Sequence, residues 1–269
     1  MGRYVNDAVW PSVLFAIIFI PVLLTFMPHI TTGTPYDIQS SITSQLSSVI
    51  KNPVSALSTF GLGDLAPYLY ALVVALLIIH RRSLGRIKEE LGLTWRPRHP
   101  YVVPTVLTPS LMITWLLISG AFPLSLLPIG GITDYLIILY SLFPVAISEE
   151  LIFRGFILGR LLPRQVTSID NAFGALRVSY VAIIISALYF ALAHVPIYLA
   201  TYGLSDLASV VSVIALIFIY GVIAGVLYVV SGSVVFDIVL HWLNDFLALV
   251  TIVYPMNPLM PCIIPHPLF

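Results

Sequence analysis

The chain has 269 residues, of which 59% are hydrophobic and 9% charged, and its 12 basic side chains balance 12 acidic ones. A soluble globular chain carries about 25% charged residues, so this composition excludes an ordinary soluble domain and predicts a multi-pass membrane protein. Zero net charge excludes a globally basic nucleic-acid binder. The single Cys262 excludes an intramolecular disulfide, and no Cys/His zinc-finger spacing occurs.

In chain order, Arg3 precedes a long apolar run, VWPSVLFAIIFIPVLLTF, and the MPHITTG that follows offers no small-residue cleavage site. This reads as an uncleaved first span over residues 9–28. Crossing hydrocarbon takes about 20 apolar residues per helix. On that ruler further spans fall near 66–80, 101–128, 133–160, 178–198, 208–230 and 234–254. The third contains Pro104, Pro109 and Pro123, which bend it or divide it in two. The expected fold is an all-α polytopic transmembrane helical bundle of seven to eight spans. Between the first two spans lies a polar, Ser/Thr-rich stretch, expected as an exposed loop or a helix on the membrane surface.

Basic residues set the orientation. The stretch after the second span carries Arg81, Arg82, Arg86, Lys88, Arg96 and Arg98, and Arg160, Arg164 and Arg177 follow the fourth span. The connections after spans one, three and five hold only Lys51. Positive-inside places the N-terminus and both basic connections in the cytoplasm, with the plasma membrane the expected location. Membrane lipid is the one partner that composition alone implies.

Away from their ends at Asp134 and Arg160, the last four spans hold few acidic, basic or histidine residues: Glu149, Glu150, Arg154, His194, Asp237, His241 and Asp245. Each charge costs about 2.5–3.5 kcal/mol at the centre of a spanning helix, so such groups face the bundle interior and pair. Glu150 and Arg154 are four apart and can form an ion pair on one face. Glu149 points about 100° away, and a second carboxylate beside an ionised one is suited to act as a general base. His194 shares a face with Phe190. Asp237, His241 and Asp245 form one row along the last helix, with Asn244 beside them. Asp237 has a plain structural reading as that helix's cap.

One carboxylate, two imidazoles and an Asp/Asn group can activate a water and stabilise a tetrahedral oxyanion, which is amide hydrolysis without a covalent intermediate. The expected cofactor is none. The alternative is a divalent metal on Glu149, His194 and His241, a catalytic zinc pattern. Ser148 has no evident base partner, and GLGD at 61–64 is too short for a dinucleotide fingerprint.

EELIFR (Glu149 to Arg154) fits EExxxR, FALAH (Phe190 to His194) fits FxxxH, and His241 heads a motif usually written HxxxN. In this order on polytopic helices, over roughly residues 134–250, they resemble the CAAX protease and bacteriocin-processing family, also called the type II CAAX prenyl endopeptidase family. ELGLTWRP before the third span is similar to a stretch often found there. The resemblance divides the chain into N-terminal transmembrane helices with a basic cytoplasmic connection (1–133), a protease-like helical core (134–254) and a short tail (255–269). It implies an intramembrane endopeptidase acting on a peptide or a prenylated protein. Glu149 would activate water with help from His194. Glu150 and Arg154 would support it, and His241 with residue 245 would hold the oxyanion. Position 245 is Asp where the family has Asn, with Asn244 one step earlier. Either Asp245 is protonated, or it orients His241 while Asn244 donates, or activity is impaired. Two rival readings are a non-catalytic scaffold or bacteriocin-immunity-type protein that keeps the motifs for packing, and a proton-coupled transporter with a Glu/His relay. No internal symmetry favours the transporter.

Overall fold

A computed structural model describes residues 2–37, 71–77, 91–101, 103–104, 106–110, 124–126 and 132–253, with Ser44, Ser48, Lys51 and Lys88. Most of the spans expected over 66–80 and 101–128, and of the polar stretch before them, lies outside the described residues. Within these residues the protein is a bundle of helices with one small two-stranded pairing. Three stretches are long and apolar enough to cross a membrane: Val9–Thr32, Ala172–Tyr202 and Leu204–Ser231. The chain is a helical membrane protein.

Helix α1 (Gly2–Thr32) contains the first of these stretches and carries Pro11, Pro21 and Pro28. Leu14 and Ile18, one turn apart, are fully buried, whereas Ile20, Leu24 and Met27 are exposed, as expected for a helix with one protein face and one lipid face. Phe15 stacks on Tyr189 with ring centroids 4.9 Å apart. Just after the helix, Tyr36 N donates to Ala200 O at 2.8 Å.

The span expected over 133–160 is not one regular helix. Helix α2 (Ile132–Glu150) passes into a π-helical stretch, Leu151–Leu158, and ends in a single α-turn, Gly159–Leu161. The change to i→i+5 bonding falls directly after the paired glutamates, and such widened turns are frequent at functional sites. All eight π-helical residues are buried. Ser186 Oγ donates to Phe153 O from the neighbouring helix at 2.8 Å.

The span expected over 178–198 is divided. Helix α3 (Ala172–Ala193), N-capped by Asn171, ends at His194, and α4 (Val195–Tyr202) begins there with Pro196 in its first turn. Pro196 has no N–H to give a preceding turn, so it belongs at a helix start. Helix α5 (Leu207–Ser231) follows and terminates on Gly232, at φ +67° in the left-handed region, whose N–H bonds Tyr228 O. Helix α6 (Val234–Val250) is 17 residues long, about 25 Å. The expected seventh span does not stay helical to residue 254. Strand β2 (Thr251–Val253) pairs antiparallel with β1 (Leu124–Leu126), so the end of the expected third span is extended too.

Two contacts hold the bundle around its polar centre. Gly221 and Gly225, spaced as GxxxG, let α5 lie against α3. A Cβ at 221 would come within 3.1 Å of Ala187 Cα, and one at 225 within 2.9 Å of Ile183 Cγ2. The pairings run oppositely along the two helices, so the helices are antiparallel. The second contact is the end of the basic connection, residues 91–99, which clamps the α5–α6 turn. Arg98 N donates to Ser231 O at 2.6 Å, His99 N to Val230 O at 3.2 Å, and Val234 N to Gly92 O at 2.9 Å. Ser233 Oγ also donates to Thr94 O. Leu91 O lies 3.0 Å from where a Cβ on Gly155 would stand, so the clamp also leans on the π-helical stretch.

Candidate active site

Charged and polar side chains converge inside this frame. Glu149, Glu150, Arg154, His194, Asp237, His241, Asn244 and Asp245 are all buried. Ionic groups taken out of water need partners, and Glu150 has two. Its Oε1 accepts from Arg154 Nη1 at 3.1 Å and from His241 Nδ1 at 2.7 Å. Glu150 thus joins the EExxxR turn to the last helix, a link that helical spacing within one segment cannot reveal. Arg154 lies over the Phe190 ring, 4.3 Å from its centroid, and 5.9 Å from the Tyr220 centroid.

Glu149 is placed differently. Its Oε2 is buried with no hydrogen-bond partner among the described residues and lies 4.0 Å from His241 Nε2. Asp245 Oδ2 is 3.2 Å from the same nitrogen, without hydrogen-bond alignment. His241 therefore has Nδ1 committed to Glu150, while Nε2 faces two carboxylates, at 3.2 Å from Asp245 and 4.0 Å from Glu149.

His194 stands at the α3–α4 break. Its Nδ1 is 2.8 Å from Phe190 O. A carbonyl only accepts, so Nδ1 carries the proton and Nε2 of the neutral ring is left as an acceptor. The Phe190 ring joins the two imidazoles, 4.9 Å from His194 and 5.9 Å from His241 between centroids. Phe190 is thus the common floor of Arg154, His194 and His241.

Asp237 does not cap its helix. Ser233 does, its Oγ accepting from Val235 N at 3.2 Å. Asp237 is fully buried one turn before His241, and neither oxygen has a hydrogen-bond partner among the described residues. Asn244 is buried with both amide atoms likewise unpartnered. Sequence reasoning passed over Tyr220, whose ring lies 5.5 Å from that of His241. The available signal was a polar-tipped aromatic directly before the small residues of GVIAG (221–225).

Among the described residues no three His, Cys, Asp or Glu side chains are grouped to hold a metal ion.

Fold and site together define a helical membrane protein with a buried carboxylate–imidazole centre. Residues 131–247 match the family model described as type II CAAX prenyl endopeptidase Rce1-like, and that segment is similar to this family. No curated protein and no solved structure matches the chain.

Proposed function

We propose that the protein is an intramembrane endopeptidase in which Glu149 activates the hydrolytic water. The observation that carries this reading is the division of labour between adjacent glutamates. Glu150 Oε1 already holds two donors, whereas Glu149 Oε2 is buried, unpartnered and beside His241. A carboxylate in that position can take a proton from water and return it.

In this mechanism the water oxygen adds to the scissile carbonyl carbon and its proton passes to Glu149. His194 Nε2, free because Nδ1 is bonded to Phe190 O, accepts a hydrogen bond from the same water and aims it. The carbonyl becomes an oxyanion against His241 Nε2, whose ring is held by Glu150 through Nδ1. Donating through both nitrogens requires the imidazolium form of His241. The C–N bond then breaks, and the proton on Glu149 moves to the departing amine. Arg154 keeps Glu150 in place and touches no substrate.

The family name supports a reading of the substrate class. A prenyl chain dissolves in the bilayer and brings its peptide tail to the bundle sideways, so prenylated CaaX-type C-termini are the first candidates. The N-terminus and the residue 91–99 clamp lie on the cytoplasmic side, where such tails are found. The test is cleavage of a fluorogenic farnesylated CaaX peptide by the reconstituted protein beside a Glu149→Ala variant of matched thermal stability. Cleavage lost in the variant supports the reading. Equal cleavage by both removes Glu149 from the mechanism, and an inert wild type favours the scaffold reading, for which the Asp at 245 is the motivating departure.

A further inference from the structure

The aromatic floor of the site contains one group that the mechanism above leaves unused. Tyr220 is buried, and its hydroxyl has no hydrogen-bond partner among the described residues. Its ring packs against His241 at 5.5 Å and Phe190 at 6.0 Å. The Arg154 guanidinium lies 5.9 Å from the centre of the same ring. A buried tyrosine hydroxyl normally finds a partner, and leaving one unmade is costly in a low-dielectric interior. Phenylalanine would fill the same space between Phe190 and His241 without that cost. Packing therefore accounts for the ring and not for its oxygen.

The site also lacks a donor where its motif usually carries one. A developing oxyanion is stabilised by hydrogen-bond donors fixed in a dry site. An amide at 245 would be such a donor, but this chain has Asp245, which when ionised only accepts. Asn244 is one residue away and so about 100° around the helix. Tyr220 reaches the cluster from α5, its ring beside that of His241. It sits directly before Gly221, where the absence of a Cβ lets α5 close on α3 beside Phe190.

We propose that the Tyr220 hydroxyl donates a hydrogen bond to the scissile carbonyl oxygen as it becomes the oxyanion, replacing the amide missing at 245 and acting beside His241. The phenol keeps its proton throughout. This inference rests on the peptidase reading given above and assigns a catalytic residue to it.

The experiment compares wild type, Tyr220→Phe, Glu149→Ala, Asp245→Asn and the Tyr220→Phe/Asp245→Asn double variant, all full-length in proteoliposomes. The substrates are the farnesylated CaaX peptide and its unmodified counterpart. Tyr220→Phe should lower kcat about 100- to 1,000-fold, the cost of one oxyanion donor, with KM unchanged and the thermal midpoint held or raised, since the unpartnered oxygen is removed. Restoring an amide should help most where the phenol is missing. Asp245→Asn is therefore expected to raise kcat at least tenfold in the Tyr220→Phe background and by a smaller factor in wild type. A merely structural Tyr220 hydroxyl would lower the midpoint when removed and show no such rescue. If Glu149→Ala abolishes cleavage while Tyr220→Phe keeps kcat within threefold, or if the two substitutions act independently, the assignment of Tyr220 falls and the peptidase reading stands. If Glu149→Ala cleaves as well as wild type, or wild type cleaves neither peptide, both fall.

Discussion

Arg154→Met tests whether Glu150 is held by a cation or only enclosed by apolar neighbours. Methionine keeps most of the arginine's length and removes its charge. Glu150 Oε1 would lose the 3.1 Å bond from Nη1 and keep the 2.7 Å bond from His241. Both partners of the pair are essentially inaccessible, at 1% and 0% exposure. Breaking a buried pair from one side costs about 3–5 kcal/mol, because the other charge is left uncompensated. Loss of the cation from above the Phe190 ring adds up to about 2 kcal/mol when the contact is desolvated, while the retained His241 bond offsets part of the sum. We therefore expect a net loss of about 3–5 kcal/mol, equivalent to a fall in thermal midpoint on the order of 10 °C for a chain of this size. Tryptophan fluorescence in mild detergent follows the transition. The decisive comparison is the cycle with Glu150→Gln, in which the double variant should be less destabilised than the two singles summed, by at least about 1 kcal/mol. Additive effects, or a single variant within about 1 kcal/mol of wild type, would refute the view that Arg154 neutralises Glu150.

Glu149→Gln retains shape and removes the base, so single-turnover cleavage should slow by about 10²–10⁴-fold while the thermal midpoint holds. An unchanged rate would assign the base elsewhere. Chelation with EDTA or 1,10-phenanthroline should leave cleavage intact, and metal analysis of the purified protein should find less than stoichiometric zinc, since among the described residues no three His, Cys, Asp or Glu side chains are grouped to hold a metal ion. Gly221→Leu should separate α3 from α5, because even a Cβ there would stand 3.1 Å from Ala187 Cα. The expected cost is about 1–3 kcal/mol, read from thermal unfolding, and a variant as stable as wild type would contradict the close packing.

Local chemistry was legible and its assembly was not. Four-residue spacing was enough to pair Glu150 with Arg154 and to place Phe190 under His194, because both are relations within one helical segment. The bond from His241 to Glu150 crosses 91 residues of chain, and no periodicity encodes it. The break at His194 had a visible cue in Pro196. The π-helical stretch Leu151–Leu158 had none, since apolar residues suit either winding when every face is buried. Asp237 was misassigned for a related reason: an acidic residue in a first turn has the look of a cap, but Ser233 already bonds Val235 N. The ends of α6 and of the expected third span were read as helix because Thr251–Val253 and Leu124–Leu126 are apolar, and their mutual pairing is a long-range event.

The pairing of Glu150 with Arg154 also has a meaning in time. The two residues leave the ribosome together, and the His241 that shares Glu150 follows 91 residues later. At translation speeds of about 5–20 residues per second that is an interval of roughly 5–18 s. Throughout it the first half of the polar centre must lodge in the bilayer without the second. A glutamate and an arginine one turn apart enter as a neutral unit, so the nascent segment can wait in hydrocarbon until the last helix arrives. Closure of the polar centre is consequently a late event of biogenesis, withheld until α6 inserts and turns His241 onto a carboxylate that Arg154 has been keeping for it.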